Sequence, residues 1–131
     1  MSQIVFNFEN LEVWKKSVTF AEKVLRIIEL IRSKHKHYRL IEQLESSSTS
    51  VALNIAEGKG RYSKREFVQF LYIARGSLYE TVALLIILDK IDLIDEQQMQ
   101  DIRYSASEII KMLSGLINAI KTPSASTFPM S

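Results

Sequence analysis

The chain has 131 residues, 47% of them apolar, with a formal net charge of +2; that is enough apolar material for one core and too little length for two ordinary domains. It contains no cysteine, which excludes disulfides, thiolate nucleophiles and zinc-thiolate sites and suits a reducing compartment. So small a charge gives a weak overall field, and any attraction to phosphate must come from local clusters.

The opening "MSQIVFNFEN" has no basic region followed by a sustained apolar one, so no secretory signal is read from it. The longest uninterrupted apolar run, Val82 to Leu88, is far shorter than the roughly 18 residues of a membrane span. No membrane segment is predicted, and the cytoplasm is the expected compartment.

Helical periodicity runs through almost the whole chain, and no stretch alternates convincingly with period two. Leu11, Trp14, Val18, Ala21, Leu25 and Ile28 recur at steps of three and four, which predicts a first helix with Asn10 as N-cap and an end near Arg32. After the polar "SKHKHY", Ile41, Leu44, Ser48, Val51, Ile55 and Gly58 keep the same steps and predict a second helix. It runs through "SSSTS" at 46–50, which reads as loop by propensity; small hydroxyl side chains can bond back to helix carbonyls and allow close helix approach.

The segment "NIAEGKGRYSKREF" could be a phosphate cradle or a turn between helices. A Walker-type loop needs glycine at position 53 and Ser or Thr at position 60, where Leu53 and Gly60 stand. A dinucleotide fingerprint lacks its third glycine and its preceding strand. Gly58 and Gly60 instead sit where the second helix must stop, and glycine reaches the left-handed conformation of a helix C-cap without a Cβ penalty. Ser63 and Glu66 form a capping-box pair that opens a third helix. The segment therefore reads as a turn. Asn54 and Glu57, three residues apart near the helix end, are assigned to bonding the turn backbone or Arg61.

Phe67, Leu71, Ala74, Leu78, Thr81, Leu85 and Leu88 make the stripe of the third helix. After "IDLID", Asp95 with Gln98 marks another capping-box start. The fourth helix repeats Met99, Ile102, Ala106, Ile109, Leu113, Leu116 and Ile120 in unbroken three-four steps. Pro123 ends it. The expectation is an all-α, antiparallel up-down-up-down four-helix bundle over residues 1–122, followed by a flexible C-terminal tail at 123–131.

Beyond these patterns, "FENLEVWKKS", the stretch "YRLIEQLESSSTSVALNIAEGKGRYSKREFVQFLYIARGSLYE" and the final helical heptads resemble the four-helix bundle proteins encoded within intervening sequences of bacterial large-subunit ribosomal RNA genes. The resemblance covers about Phe8 to Ile120 and is sharpest at "NIAEGKGR" and "ARGSLYE". It implies a relation to the accessory variability determinant of diversity-generating retroelements, a partner of reverse transcriptase, and ring-shaped homo-oligomers, commonly pentamers. The accessory proteins are typically more basic than this chain.

No constellation for catalysis, cofactor or metal stands out. His35 and His37 lie among lysines and lack the Glu-x-x-His spacing of di-iron bundles. Glu57 and Glu80 have no activated nucleophile beside them in the sequence. Two basic clusters remain for contact with RNA or DNA: Arg32, Lys34, Lys36 and Arg39 at the first turn, and Lys59, Arg61, Lys64 and Arg65 at the second. An antiparallel bundle puts these turns at opposite ends, about 30 Å apart for helices of roughly twenty residues.

Val82 to Leu88 would cover every side of a helix, while a lone bundle buries only one stripe. The side opposite the core stripe carries Tyr72, Gly76, Tyr79, Ala83 and Ile87, with Ile86 at its flank, and is the expected homo-oligomer interface. The functional expectation is a non-enzymatic, oligomeric binding or adaptor protein, contacting nucleic acid or a reverse transcriptase. The alternative is a structural or regulatory protein-protein interaction bundle that binds no nucleic acid.

Overall fold

Four helices follow the apolar stripes closely: α1 (Glu12–Arg32), α2 (Tyr38–Lys59), α3 (Lys64–Lys90) and α4 (Glu96–Lys121), with a short 3₁₀ turn at Asn7–Asn10 ahead of them. The computed structural model describes residues 3–32 and 37–122; Lys34, His35 and Lys36, and the expected tail at 123–131 with its Pro123, lie outside the described residues. Each helix packs on its chain neighbours, and α1 closes the bundle on α4, while the backbones of the diagonal pairs, α1 with α3 and α2 with α4, stay farther apart. The arrangement is an all-α antiparallel four-helix bundle.

The core is a continuous apolar column running from Phe20, Ile28, Leu44 and Ile55 to Leu71, Leu85, Ile109 and Leu113. In α2 the whole stripe from Ile41 to Gly58 is buried, including Ser48 in the hydroxyl-rich run. That run stays helical because its hydroxyls have partners. Ser47 donates to the Leu44 carbonyl at 3.3 Å, Thr81 of α3 donates to Ser47 at 2.9 Å, and Ser50 and Ser77 meet at 2.9 Å. The small side chains bring α2 and α3 close and bridge them by hydrogen bonds rather than by large apolar groups.

Two expectations about helix ends need correction. Asn10 does not cap α1; it belongs to the 3₁₀ turn, and the Leu11 carbonyl accepts the first amides, from Trp14 and Lys15, at 3.1 Å each. Neither Gly58 nor Gly60 is left-handed: among the described glycines none has positive φ. Gly60 continues right-handed at φ −81° and ψ −6°. Gly58 is inside α2, where the space matters more than the torsion, because a Cβ there would stand 2.6 Å from Phe70 Cβ. Among the described residues the left-handed one is Asp92, at φ 62° after α3. There Leu93 N–H donates to the Leu88 carbonyl and Asp92 N–H to the Asp89 carbonyl, both at 3.0 Å, the bond pair of a Schellman cap. Aspartate tolerates that conformation better than most residues.

The expectation of no membrane segment bears on α3. Although its longest unbroken apolar run is short, its 27 residues are long and apolar enough, by length and composition alone, to cross a membrane. In the fold it is the helix flanked by α2 and α4, and its buried stripe from Val68 to Leu88 lies in the bundle core.

The two expected helix starts are present in different degrees. At α4, Asp95 accepts from Gln98 N–H at 2.7 Å and the Gln98 side chain returns to Asp95 N–H at 3.2 Å, a full capping box. At α3, Ser63 accepts from Glu66 N–H at 3.1 Å, while the Ser63 hydroxyl donates to the Glu66 carboxylate at 3.2 Å, which leaves the Ser63 amide without the reciprocal bond of a capping box. Ser63→Ala removes both bonds, and its expected cost is about 0.5–2 kcal/mol. A urea midpoint equal to wild type, with unchanged helix content, would contradict that role.

Candidate functional site

The interior offers no titratable chemistry among the described residues. Its buried polar residues are Ser17, Ser47, Ser48 and Thr81, and each hydroxyl donates a hydrogen bond, as Ser17 does to the Val13 carbonyl at 2.7 Å. Function must therefore be sought on the surface, at the turns and along α3.

The second basic cluster divides into two roles. Arg61 donates to the Glu57 carboxylate at 2.8 Å and lies 4.8 Å over the Phe70 ring; Lys59 stands 5.8 Å over Phe67. These two cations brace the turn, in line with the expected Glu57–Arg61 pair. Asn54 does not reach the turn; it donates to the Ser50 carbonyl and hydroxyl, both at 2.8 Å, within α2. Lys64 and Arg65, on the first turn of α3, are exposed and make no ion pair among the described residues. They stand with Tyr62, which is fully exposed.

At the other end, Arg32 is held by Glu29 at 3.6 Å and by Glu45 at 3.0 Å, so its charge is partly offset. Arg39 is exposed, and Lys34 and Lys36 lie outside the described residues. His37 is exposed, just ahead of α2. Glu80 is turned to Gln43, which donates to it at 3.2 Å, and is separated from Glu57 by several turns of helix. The two carboxylates are not brought together.

Sequence reading missed a groove of about 400 Å³ where the start of α3 meets the end of α4, floored by Val68, Tyr72 and Ile120 and rimmed by Lys64, Arg65 and Lys121. Lys121 donates to the Tyr72 hydroxyl at 3.1 Å, and Arg75 lies 5.0 Å over the same ring. The signal was present only indirectly, since an antiparallel bundle must bring the last residue of α4 beside the first turn of α3.

From Tyr72 the surface continues along α3 as an uncovered, largely apolar face. Tyr72, Tyr79 and Ile87 are exposed, as is Ile73 on the flank. Ala83 is exposed as well, and nothing stands within 4 Å of a Cβ built on Gly76. Ile86 is turned inward against the core instead.

An antiparallel four-helix bundle with an apolar, hydroxyl-satisfied interior and its charged and apolar features displayed outside defines the class of protein. The family model of the 23S rRNA-intervening sequence protein matches residues 9–115, and the chain belongs to that family. Among solved structures it is similar to a protein of unknown function from the S23 ribosomal protein family of Bacteroides thetaiotaomicron VPI-5482, at 29% identity and a TM-score of 0.77, over 84% of this chain and 99% of that one. No curated protein matches the chain.

Proposed function

We propose that this bundle is a non-enzymatic, cytoplasmic binding or adaptor module that works as a homo-oligomer and contacts nucleic acid through the turn between α2 and α3. The observation that carries the reading is the exposed pair Lys64 and Arg65 beside exposed Tyr62, on a turn already braced by Arg61 and Glu57. Cations so placed reach phosphates without reading bases, so binding is sequence-tolerant and steeply salt-dependent. A lone pair of cations binds weakly. Repetition around an assembly built on the α3 face makes the contact multivalent.

Lys64→Ala with Arg65→Ala leaves the Glu57–Arg61 brace in place and isolates the charge. RNA and DNA binding measured across a salt series should weaken, and the slope of log affinity against log salt should fall by about 0.7–0.9 for each phosphate that the variant no longer neutralises. No binding by wild type at low salt would defeat the nucleic-acid reading and leave the protein-protein bundle in its place.

A further inference from the structure

The segment ahead of the 3₁₀ turn displays three large apolar side chains in sequence: Ile4 is 83% exposed, Val5 57% and Phe6 62%. They are held in a defined position. Phe6 is extended, at φ −84° and ψ 155°, its amide donates to the Glu9 carboxylate at 2.8 Å, and its ring stacks on Phe8 with centroids 6.0 Å apart. Phe8 in turn meets Trp14 edge-on at 5.0 Å. Asn7 ties the turn to the end of α2 by donating to the Lys59 carbonyl at 3.4 Å. An ordered arm of uncharged residues that leaves its apolar groups in water is a contact awaiting a partner.

We infer that this arm, Ile4 to Phe6, is a latch that seats in the α3–α4 groove of a second copy of the chain, on the floor made by Val68, Tyr72 and Ile120. This rests on the oligomeric reading above and names the contact that joins the subunits. Three features single out a second copy. First, arm and groove lie at the same end of the bundle, because α2 ends and α3 begins at the turn to which Asn7 is tied. Second, the arm cannot serve its own groove: its turn packs on α1 and α2 only, and the groove lies on the opposite wall, between α3 and α4. Two different patches on opposite walls at one height give a head-to-tail contact between parallel copies, which closes into a ring or runs on as a filament.

Third, the surroundings are complementary in charge as well as in polarity. Glu9 stands at the base of the arm, with Glu12 beyond it sharing its charge with Lys15 at 3.5 Å, and Lys121 stands at the lip of the groove. Tyr72 belongs both to the groove floor and to the exposed face of α3, so the latch extends that face rather than competing with it. Lys64 and Arg65 reach outward over the seated arm with their charges in water.

A chain without cysteine makes the test direct. Two single variants, Ile4→Cys and Gln69→Cys, are purified separately, mixed, and treated with a short bifunctional thiol reagent. The expected product is a dimer of one Ile4→Cys copy with one Gln69→Cys copy. Ile91→Cys, exposed at the far end of α3, should give no such product with Ile4→Cys. In parallel, replacing Ile4, Val5 and Phe6 together by serine should weaken self-association about 100-fold or more while helix content is kept.

Wild type that assembles in light scattering, but whose Ile4→Cys and Gln69→Cys copies do not cross-link above the Ile91→Cys control, would overturn the latch and leave the oligomer standing. Wild type that is monomeric at micromolar concentration would overturn both.

Discussion

Gly58→Ala should destabilise the bundle by about 1 kcal/mol net, whereas Gly60→Ala, two residues on, should be neutral or stabilising by up to about 1 kcal/mol. The two glycines share one motif and have different reasons to be there. A Cβ on Gly58 would lie 2.6 Å from Phe70 Cβ and 3.0 Å from Phe67 Cδ1, well inside the roughly 3.5–4.0 Å at which carbon atoms attract. Phe70 Cβ is the stem of its side chain, so relief requires α2 and α3 to move apart, and overpacking of this kind costs about 1–3 kcal/mol. Alanine's better helix propensity returns about 1 kcal/mol at most.

At Gly60 a Cβ would make ordinary contact, 3.5 Å from the Glu57 carbonyl, in a right-handed conformation that alanine adopts freely. Urea unfolding of both variants at one protein concentration, with equal m values, measures the difference. A Gly58→Ala variant as stable as wild type would mean that α3 does not press on that glycine.

The sequence was most legible where a stripe had no rival. The α2 stripe through the serines is buried throughout because Ser47 and Ser48 fit a close α2–α3 contact. In α3, every stripe residue from Leu71 to Leu88 is buried, with Phe67 half-buried at the start. The α1 stripe is only partly the buried one: of its residues, Ala21 and Ile28 are buried. Val13, Phe20, Val24, Ile27 and Ile31 are buried, while Leu11, Trp14, Val18 and Leu25 are only half-buried. Two apolar rows on α1 satisfy three-four spacing, and only packing against α2 and α4 decides between them; Trp14 is drawn to Phe8 instead.

In α4, a strict three-four repeat has a period of 3.5 and drifts about 20° per heptad against a straight helix. By the last heptad the buried residue is Ile117 rather than Leu116. The glycine rule for helix ends failed for a related reason. It reads torsion, and Gly58 is placed by a tertiary contact, while the left-handed cap fell to Asp92. The groove at Lys121 and the exposure of Ile4 to Phe6 depend on which chain ends share one end of the bundle, and no local pattern encodes that.

Ile87→Lys should abolish or strongly weaken self-association while leaving the bundle folded. Ile87 is 50% exposed on α3, on the side away from Leu85 and Leu88, which are buried in the core, so lysine there meets water in the single subunit. In the assembly it would replace an apolar contact worth about 1.5–3 kcal/mol with a charge that must be desolvated. The loss recurs at every interface. Each contact should weaken by about 100-fold or more, enough to dissociate an oligomer held together at micromolar concentration.

The same variant separates avidity from electrostatics in nucleic-acid binding. It adds a positive charge, so simple attraction would strengthen binding to RNA or DNA. Dissociation scatters the Lys64 and Arg65 pairs onto separate bundles, and binding should weaken despite the added charge. Light scattering and a salt series on the two proteins read both effects. An Ile87→Lys protein that assembles like wild type would place the interface elsewhere. One that is monomeric and binds more tightly than wild type would sink the multivalent mechanism and leave local charge as the whole of the attraction.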